Sequence, residues 1–129
     1  MSDTKDMPRL DGQHVLVVED EELIALMLVD VLEEHGATVL GPAGSLPDAL
    51  ALADRSEMTA ALLDLNLKGE AVYPVADRLA ARGVPFVFLT GYGQGQLAAR
   101  HAQAPVLTKP FGPRQLADLF SRMGWAAPV

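Results

Sequence analysis

Short runs of apolar and β-branched residues recur along the chain, each closed by polar or turn-forming residues and most followed by a segment of helical spacing. "HVLVV", residues 14 to 18, is the first, and it stops at acids. A strand without polar alternation is one buried on both faces. Residues 21 to 35 then carry a helical pattern that ends at Gly36, a residue suited to the left-handed position after a helix. "ATVLGPAG" is a second strand with turn residues behind it, and Ser45 is placed to cap the helix "LPDALALADR". "TAALLDLNL" is a third strand whose apolar run ends at Asp64. "VYPVADRLAARG" predicts a helix with Pro74 in its first turn and Gly83 beyond its end. "VPFVFLT" is the fourth strand, "QGQLAARHA" a short, weakly specified helix, and "APVLT" the fifth strand, followed by "KPFG". Leu116, Leu119, Phe120 and Met123 recur at helical spacing and mark a final amphipathic helix. Residues 1–12 read as a flexible segment, 13–124 as one domain and 125–129 as a frayed tail.

Five short strands alternating with helical segments predict an α/β fold in which a parallel sheet is covered on both faces. In such sheets functional groups gather at the carboxyl ends of the strands. Glu19, Asp20 and Glu21 follow the first strand, Asp64 closes the third, Thr90 the fourth, and Lys109 follows the fifth. One rim of the sheet should therefore collect several carboxylates, a hydroxyl and an ammonium. Carboxylates so close repel one another. A hard cation such as Mg²⁺ relieves the conflict, because it accepts carboxylate, carbonyl and water oxygens, with the Asn66 carbonyl as a further ligand. With Lys109 added as a point charge, the rim suits a phosphoryl group, and Asp64 is its candidate nucleophile.

Composition narrows the field. The chain has 129 residues, half of them apolar, which suits one domain. Its formal net charge of −7 argues against a nucleic-acid backbone as direct partner. The absence of cysteine excludes disulfides, thiolate zinc sites and thiol nucleophiles. Neither a signal-peptide pattern nor a bilayer-length apolar run is present, so a cytoplasmic protein without membrane contact is expected.

"VLVVEDE", "LLDLNLKG", "FLTG" and "LTKPF", in that order and each at a strand end, resemble the receiver domains of two-component response regulators. The resemblance runs from about His14 to Met123. It implies a doubly wound (βα)5 sheet of the flavodoxin-like, CheY-like type, five parallel strands in the order 2-1-3-4-5. It also implies phosphoryl transfer to Asp64 from a phosphohistidine on a sensor histidine kinase or histidine phosphotransfer protein. Mg²⁺ would be held by Asp20, Asp64 and the Asn66 carbonyl, with Glu19 acting through water. Lys109 would contact a phosphoryl oxygen, with a cis bond to Pro110, and Thr90 would hydrogen-bond the phosphoryl group beside the open space at Gly91. Such a protein is a phospho-accepting switch that assists its own phosphorylation and dephosphorylation, and is better described as a signalling protein than as an enzyme. Its downstream partner is a protein that the sequence does not name.

"YPVADRLAARGVPFVFLTGYG" further resembles a stand-alone subgroup nicknamed FAT GUY, some members of which are linked to bacterial general stress signalling. Leu89 replaces the alanine of that signature, and Tyr92 directly follows Gly91. Many receivers carry an aromatic switch residue three positions before the lysine, where this chain has Val106. Tyr92 and the Gly93–Gly95 loop are expected to reorganise instead, and Tyr92 to shield the acyl phosphate. Lys68 replaces a frequent proline and is expected to loosen or recharge the mouth of the site.

Other readings compete residue by residue. Acids at a helix start favour its dipole by roughly 0.3–1 kcal/mol. Asp64 suits a turn, Thr90 suits a strand, and Lys109 suits a solvated surface. Only their joint placement at strand ends lifts them above these roles. His14, His35 and His101 are scattered and are assigned no chemistry, and the glycines after Thr90 do not make a dinucleotide fingerprint. On a helical wheel Ile24, Met27, Leu28, Val31 and Leu32 share a core side, whereas Leu23 and Leu26 fall among acids and are candidate contacts for the kinase's helical bundle. Competing functions are a phosphorylation-independent adaptor, a phosphate sink for a kinase, and a metal-dependent phosphatase. The last needs a general acid two residues after the nucleophile, and Asn66 cannot supply a proton.

Overall fold

Each of the apolar runs becomes a strand, and the residues that interrupt them become the connections. A computed structural model describes residues 8–91 and 97–126. In chain order the elements are β1 (His14–Val18), α1 (Glu22–Glu34), β2 (Thr38–Ala43), α2 (Leu46–Ala53), β3 (Ala60–Asp64), β4 (Asn66–Leu67), β5 (Glu70–Ala71), α3 (Tyr73–Ala81), β6 (Phe86–Thr90), a 3-10 turn (Ala99–His101), β7 (Val106–Thr108) and α4 (Pro113–Arg122). The main sheet is parallel, in the order β2-β1-β3-β6-β7. Once the small antiparallel hairpin of β4 and β5 is set aside, this is the expected 2-1-3-4-5 order.

The strand alternation divides the core in two. Val15, Val17, Leu62, Val87 and Leu89 face α1 and α4, where Leu28, Leu32, Leu116 and Phe120 meet them. Leu16, Val18, Leu63 and Phe88 face α2 and α3, where Ala49, Ala53, Val75 and Leu79 meet them. Both sides of β1, β3 and β6 are thus dry, which explains their unbroken apolar sequences. Gly36 takes φ +98° just beyond α1, and the Ser45 hydroxyl accepts a hydrogen bond from Asp48 N at 3.3 Å.

Three sequence expectations are changed. Leu10 is fully buried, its N–H donates to His35 O at 2.7 Å, and Pro8 O accepts from His35 Nδ1 at 2.6 Å. Residues 8–12 therefore pack on the domain. Trp125, expected to fray, is buried, stacks on Phe120 at 6.2 Å, and accepts a hydrogen bond at its carbonyl from Gln13 Nε2 at 3.0 Å. Lone apolar residues in polar tails carry no periodicity, so neither contact is visible as a pattern. The fourth crossover contains, among the described residues, only the 3-10 turn, with Ala98 before it extended at φ −55°, ψ 146°.

That turn is tied to α3 by side chains. His101 is buried against Tyr73, Phe86 and Phe88, and its Nε2 lies 2.7 Å from Asp77 Oδ1. Arg100 donates to both Asp77 oxygens, and Tyr73 Oη accepts from Ala98 N at 2.8 Å. Hydrogen bonds from Arg100, then from His101, hold the Asp77 carboxyl down at about 2.

Candidate functional site

Because all five strands of the main sheet run the same way, their carboxyl ends share one rim. Glu19 leaves β1 with its N–H bonded to Ala43 O at 2.9 Å, and its carboxylate is buried. Asp20 stands half-buried beside it, and Asp64 ends β3, buried. Oxygens of Glu19, Asp20 and Asp64 all lie within 4.8 Å of one another. Lys109 N donates to Thr90 O at 2.7 Å, which sets the direction of the lysine side chain across the rim. Its Nζ lies 3.0 Å from Glu19 Oε1, 3.2 Å from Glu21 Oε1 and 3.4 Å from Asp64 Oδ2. One ammonium thus faces three carboxylates directly.

The charges explain the proton affinities. Burial, then the neighbouring Glu19 carboxylate, pushes the Asp64 carboxyl up to about 7, against the pull of Lys109 and the Asn66 N–H. At Asp20 burial works upward, but the Lys68 N–H and a hydrogen bond with Asp64 outweigh it, and the carboxyl titrates below its ordinary value. At Lys109 burial disfavours the charge, yet the hydrogen bond to Glu19 and the charge of Asp64 raise its pKa. Glu19 Oε1 is buried and makes no hydrogen bond among the described residues, and the Lys109 ammonium lies 3.0 Å from it. The donor set is all oxygen, crowded and short of positive charge, which fits a hard divalent cation.

Thr90 ends β6, buried, and Gly91 lines a cleft of about 290 Å³ together with Asp20, Asp64, Asn66, Lys68 and Lys109. The Lys109–Pro110 bond is cis, as is Gly41–Pro42, which was not anticipated. Tyr92 and the Gly93–Gly95 loop lie outside the described residues. Val106 is 38% exposed on β7 and offers no ring.

The loop after Asp64 carries Lys68 at its turn. It is closed by the β4–β5 hairpin, in which Lys68 and Gly69 take φ +50° and +87°. The Lys68 N–H donates to Asp20 Oδ2 at 2.9 Å. The hairpin was missed because two-residue strands are too short for a pattern. A two-residue Lys-Gly turn between Leu67 and Glu70 is the signal that was there to read.

Leu23 and Leu26 are 82% and 57% exposed, whereas Leu28, Val31 and Leu32 are buried, as the helical wheel predicts. With Val29 and Pro42 they line a groove that reaches Glu19 and Asp20.

A family model described as the response regulator receiver domain matches residues 15–121. The chain belongs to that family. It is accordingly a receiver domain of the two-component type. It is similar in structure to SdrG from Sphingomonas melonis Fr1, with 42% identity and a TM-score of 0.75 over 87% of this chain and 95% of that one. The BeF3-activated conformation of SdrG gives 40% identity and a TM-score of 0.73, over 88% of this receiver and 97% of SdrG. Among curated relatives, the phyllosphere-induced regulator PhyR of Methylorubrum extorquens is 30% identical over 112 residues, covering 84% of this receiver and 42% of PhyR. The receiver spans about half the length of the curated relatives it matches. No described helix of it is long and apolar enough to cross a membrane.

Proposed function

We propose that this receiver accepts a phosphoryl group on the Asp64 carboxylate from the phosphohistidine of a sensor histidine kinase or histidine phosphotransfer protein. An Asp64 oxygen attacks phosphorus, the new P–O bond forms, and the P–N bond to histidine breaks. The observation that carries this reading is the convergence of Glu19, Asp20 and Asp64 within 4.8 Å, with Lys109 Nζ 3.4 Å from Asp64. Bound Mg²⁺ supplies charge neutralisation on the phosphoryl oxygens. Asp20, Asp64 and the Asn66 carbonyl hold it, and Glu19 acts through water. Lys109 meets a second phosphoryl oxygen, Thr90 donates a hydrogen bond to the group once it is attached, and Gly91 leaves room beside it. The existence of a BeF3-activated conformation of SdrG supports the reading at 40% identity.

The domain is a cytoplasmic phospho-accepting switch that assists its own phosphorylation and dephosphorylation and changes its binding of a downstream protein. The resemblance of residues 73–93 to the FAT GUY subgroup, some members of which are linked to bacterial general stress signalling, favours such a place for this receiver. Leu23 and Leu26 dock the helical bundle that presents the phosphohistidine. Leu23→Asp combined with Leu26→Asp slows transfer from a kinase that phosphorylates the wild-type protein by about 10-fold or more, the loss of roughly 1.4 kcal/mol of contact. Uptake from acetyl phosphate stays unchanged, and equal kinase rates for both proteins remove the docking role.

Intact-protein mass spectrometry after incubation with acetyl phosphate tests the central reading. One phosphoryl adduct that requires Mg²⁺ and is absent from Asp64→Asn is the expected result. A protein that neither binds Mg²⁺ nor accepts phosphoryl from acetyl phosphate or kinase is a phosphorylation-independent adaptor.

A further inference from the structure

The hairpin of β4 and β5 touches the acidic cluster at two points and is braced within itself at a third. Asn66 N donates to Asp64 Oδ1 at 3.3 Å, Lys68 N donates to Asp20 Oδ2 at 2.9 Å, and Asn66 Oδ1 accepts from Gly69 N at 2.8 Å. Asp20 and Lys68 are 48 residues apart, so the second of these bonds joins the β1 and β3 ends of the site. The conformation that makes it is not a free choice for this sequence. Lys68 is the only non-glycine residue with positive φ among the described residues, at +50°, and side-chain-bearing residues enter that region at an energetic cost. Gly69 follows at +87°, and the pair has the two positive φ values of the tight hairpin turn that suits two strands of right-handed twist.

We infer that this hairpin is a clip that sets the cation site, and that the Lys68 main-chain N–H is the positioning group that orients Asp20. The inference rests on the Mg²⁺ reading above and deepens it. An acidic side chain among like charges swings away from them unless something holds it. The Lys68 N–H holds Asp20 Oδ2 at 2.9 Å, and an oxygen of the carboxylate so held lies within 4.8 Å of oxygens of Glu19 and Asp64. The Asn66 carbonyl is placed by the same unit, because Asn66 is paired with Ala71 across the hairpin and tied to Gly69 through its side chain. Groups that orient metal ligands from behind contribute about 10–100-fold to metal affinity. The Lys68 side chain is dispensable for this role; its N–H and its left-handed backbone are not.

Three variants separate these contributions, the first two read by calorimetric Mg²⁺ titration and metal-free melting temperature and the third by hydrogen exchange. Lys68→Gly keeps the N–H and adopts positive φ freely. It is expected to bind Mg²⁺ within about 3-fold of wild type, an effect below the range for a lost orienting group, and to melt no lower. Lys68→Pro removes the N–H and fixes φ near −65°. Its Mg²⁺ dissociation constant is expected to rise about 10-fold or more. Equal affinities for the proline and glycine variants, or equal losses in both, overturn the inference. The third variant, Asp20→Ala, needs no metal and stands even where the proline variant does not fold. Hydrogen exchange of the Lys68 amide should accelerate about 10-fold, the equivalent of roughly 1.4 kcal/mol of lost protection. An unchanged rate overturns the contact itself. A wild-type protein that takes up no Mg²⁺ defeats the phosphoryl reading and this inference together, whereas wild-type binding matched by the proline variant defeats this inference alone.

Discussion

Asp64→Asn is expected to make the metal-free protein more stable at pH 8, by about 1–3 kcal/mol, and, under the proposed function, to accept no phosphoryl group. The Asp64 carboxyl is pushed up to about 7 by burial and by Glu19, so above that pH the folded protein holds an ionised group that its surroundings disfavour. The sign follows from the two proton affinities. Below the unfolded value of about 3.9 the group is protonated in both states and costs nothing. As pH rises from there to about 7, the unfolded chain releases its proton first, and stability contributed by the neutral carboxyl is lost. The full shift corresponds to about 4 kcal/mol as an upper bound. That value already includes the pull of Lys109, whose Nζ lies 3.4 Å away. Chemical denaturation of both proteins at pH 5, 6, 7 and 8, without metal, is the measurement. The gap between wild type and Asn should open across that window, and parallel curves would contradict the crowding of charge at this rim. Saturating Mg²⁺ should stabilise the wild-type protein more at pH 8 than at pH 5.5, because a cation binds the ionised form.

Phe88→Ala is expected to cost about 3–5 kcal/mol of folding stability. Phe88 lies at the centre of β6 with no exposure, edge-on to Tyr73, Phe86 and His101 at 5.3–5.8 Å. Its removal leaves a cavity between the sheet and α3 that rigid strands on either side cannot close. For a domain whose total stability is about 5–15 kcal/mol, that is a large share. Tyr73 and His101 also hold the 3-10 turn, through the Ala98 N–H and Asp77. Hydrogen exchange at residues 97–101 should therefore rise more than at β1 or α1 in the same variant. A loss below 1.5 kcal/mol, smaller than any expected for truncating a fully buried ring, would mean that the ring is not the keystone of this side of the core.

Strand positions and the acidic rim were legible because each depends on runs of residues rather than on single contacts. "HVLVV" and "FVFLT" have no polar alternation, and both lie among helices on either face. Asp20, Asp64, Thr90 and Lys109 follow from knowing where the strands end. Ionisation at the rim was legible only in outline. Nothing in the order of residues says that Glu19 is buried, or that Lys109 reaches Glu19 more closely than Asp64. Single contacts between distant residues were invisible. Leu10 on His35, Gln13 on Trp125 and Lys68 on Asp20 depend on how elements meet in space, and no local pattern records them.

The edges of the sheet carry a consequence for how this domain meets copies of itself. At the β2 edge, Gly41 turns to φ +97° and Pro42 presents no N–H, and the register slips between Leu16 and Val18 of its neighbour. At the other edge, β7 is only three residues long. Proline, irregularity and brevity are the devices by which sheets refuse an additional strand. Growth of this sheet into a ribbon of stacked molecules is blocked at both ends, so self-association that this domain undergoes at high concentration must use helical faces rather than strand addition.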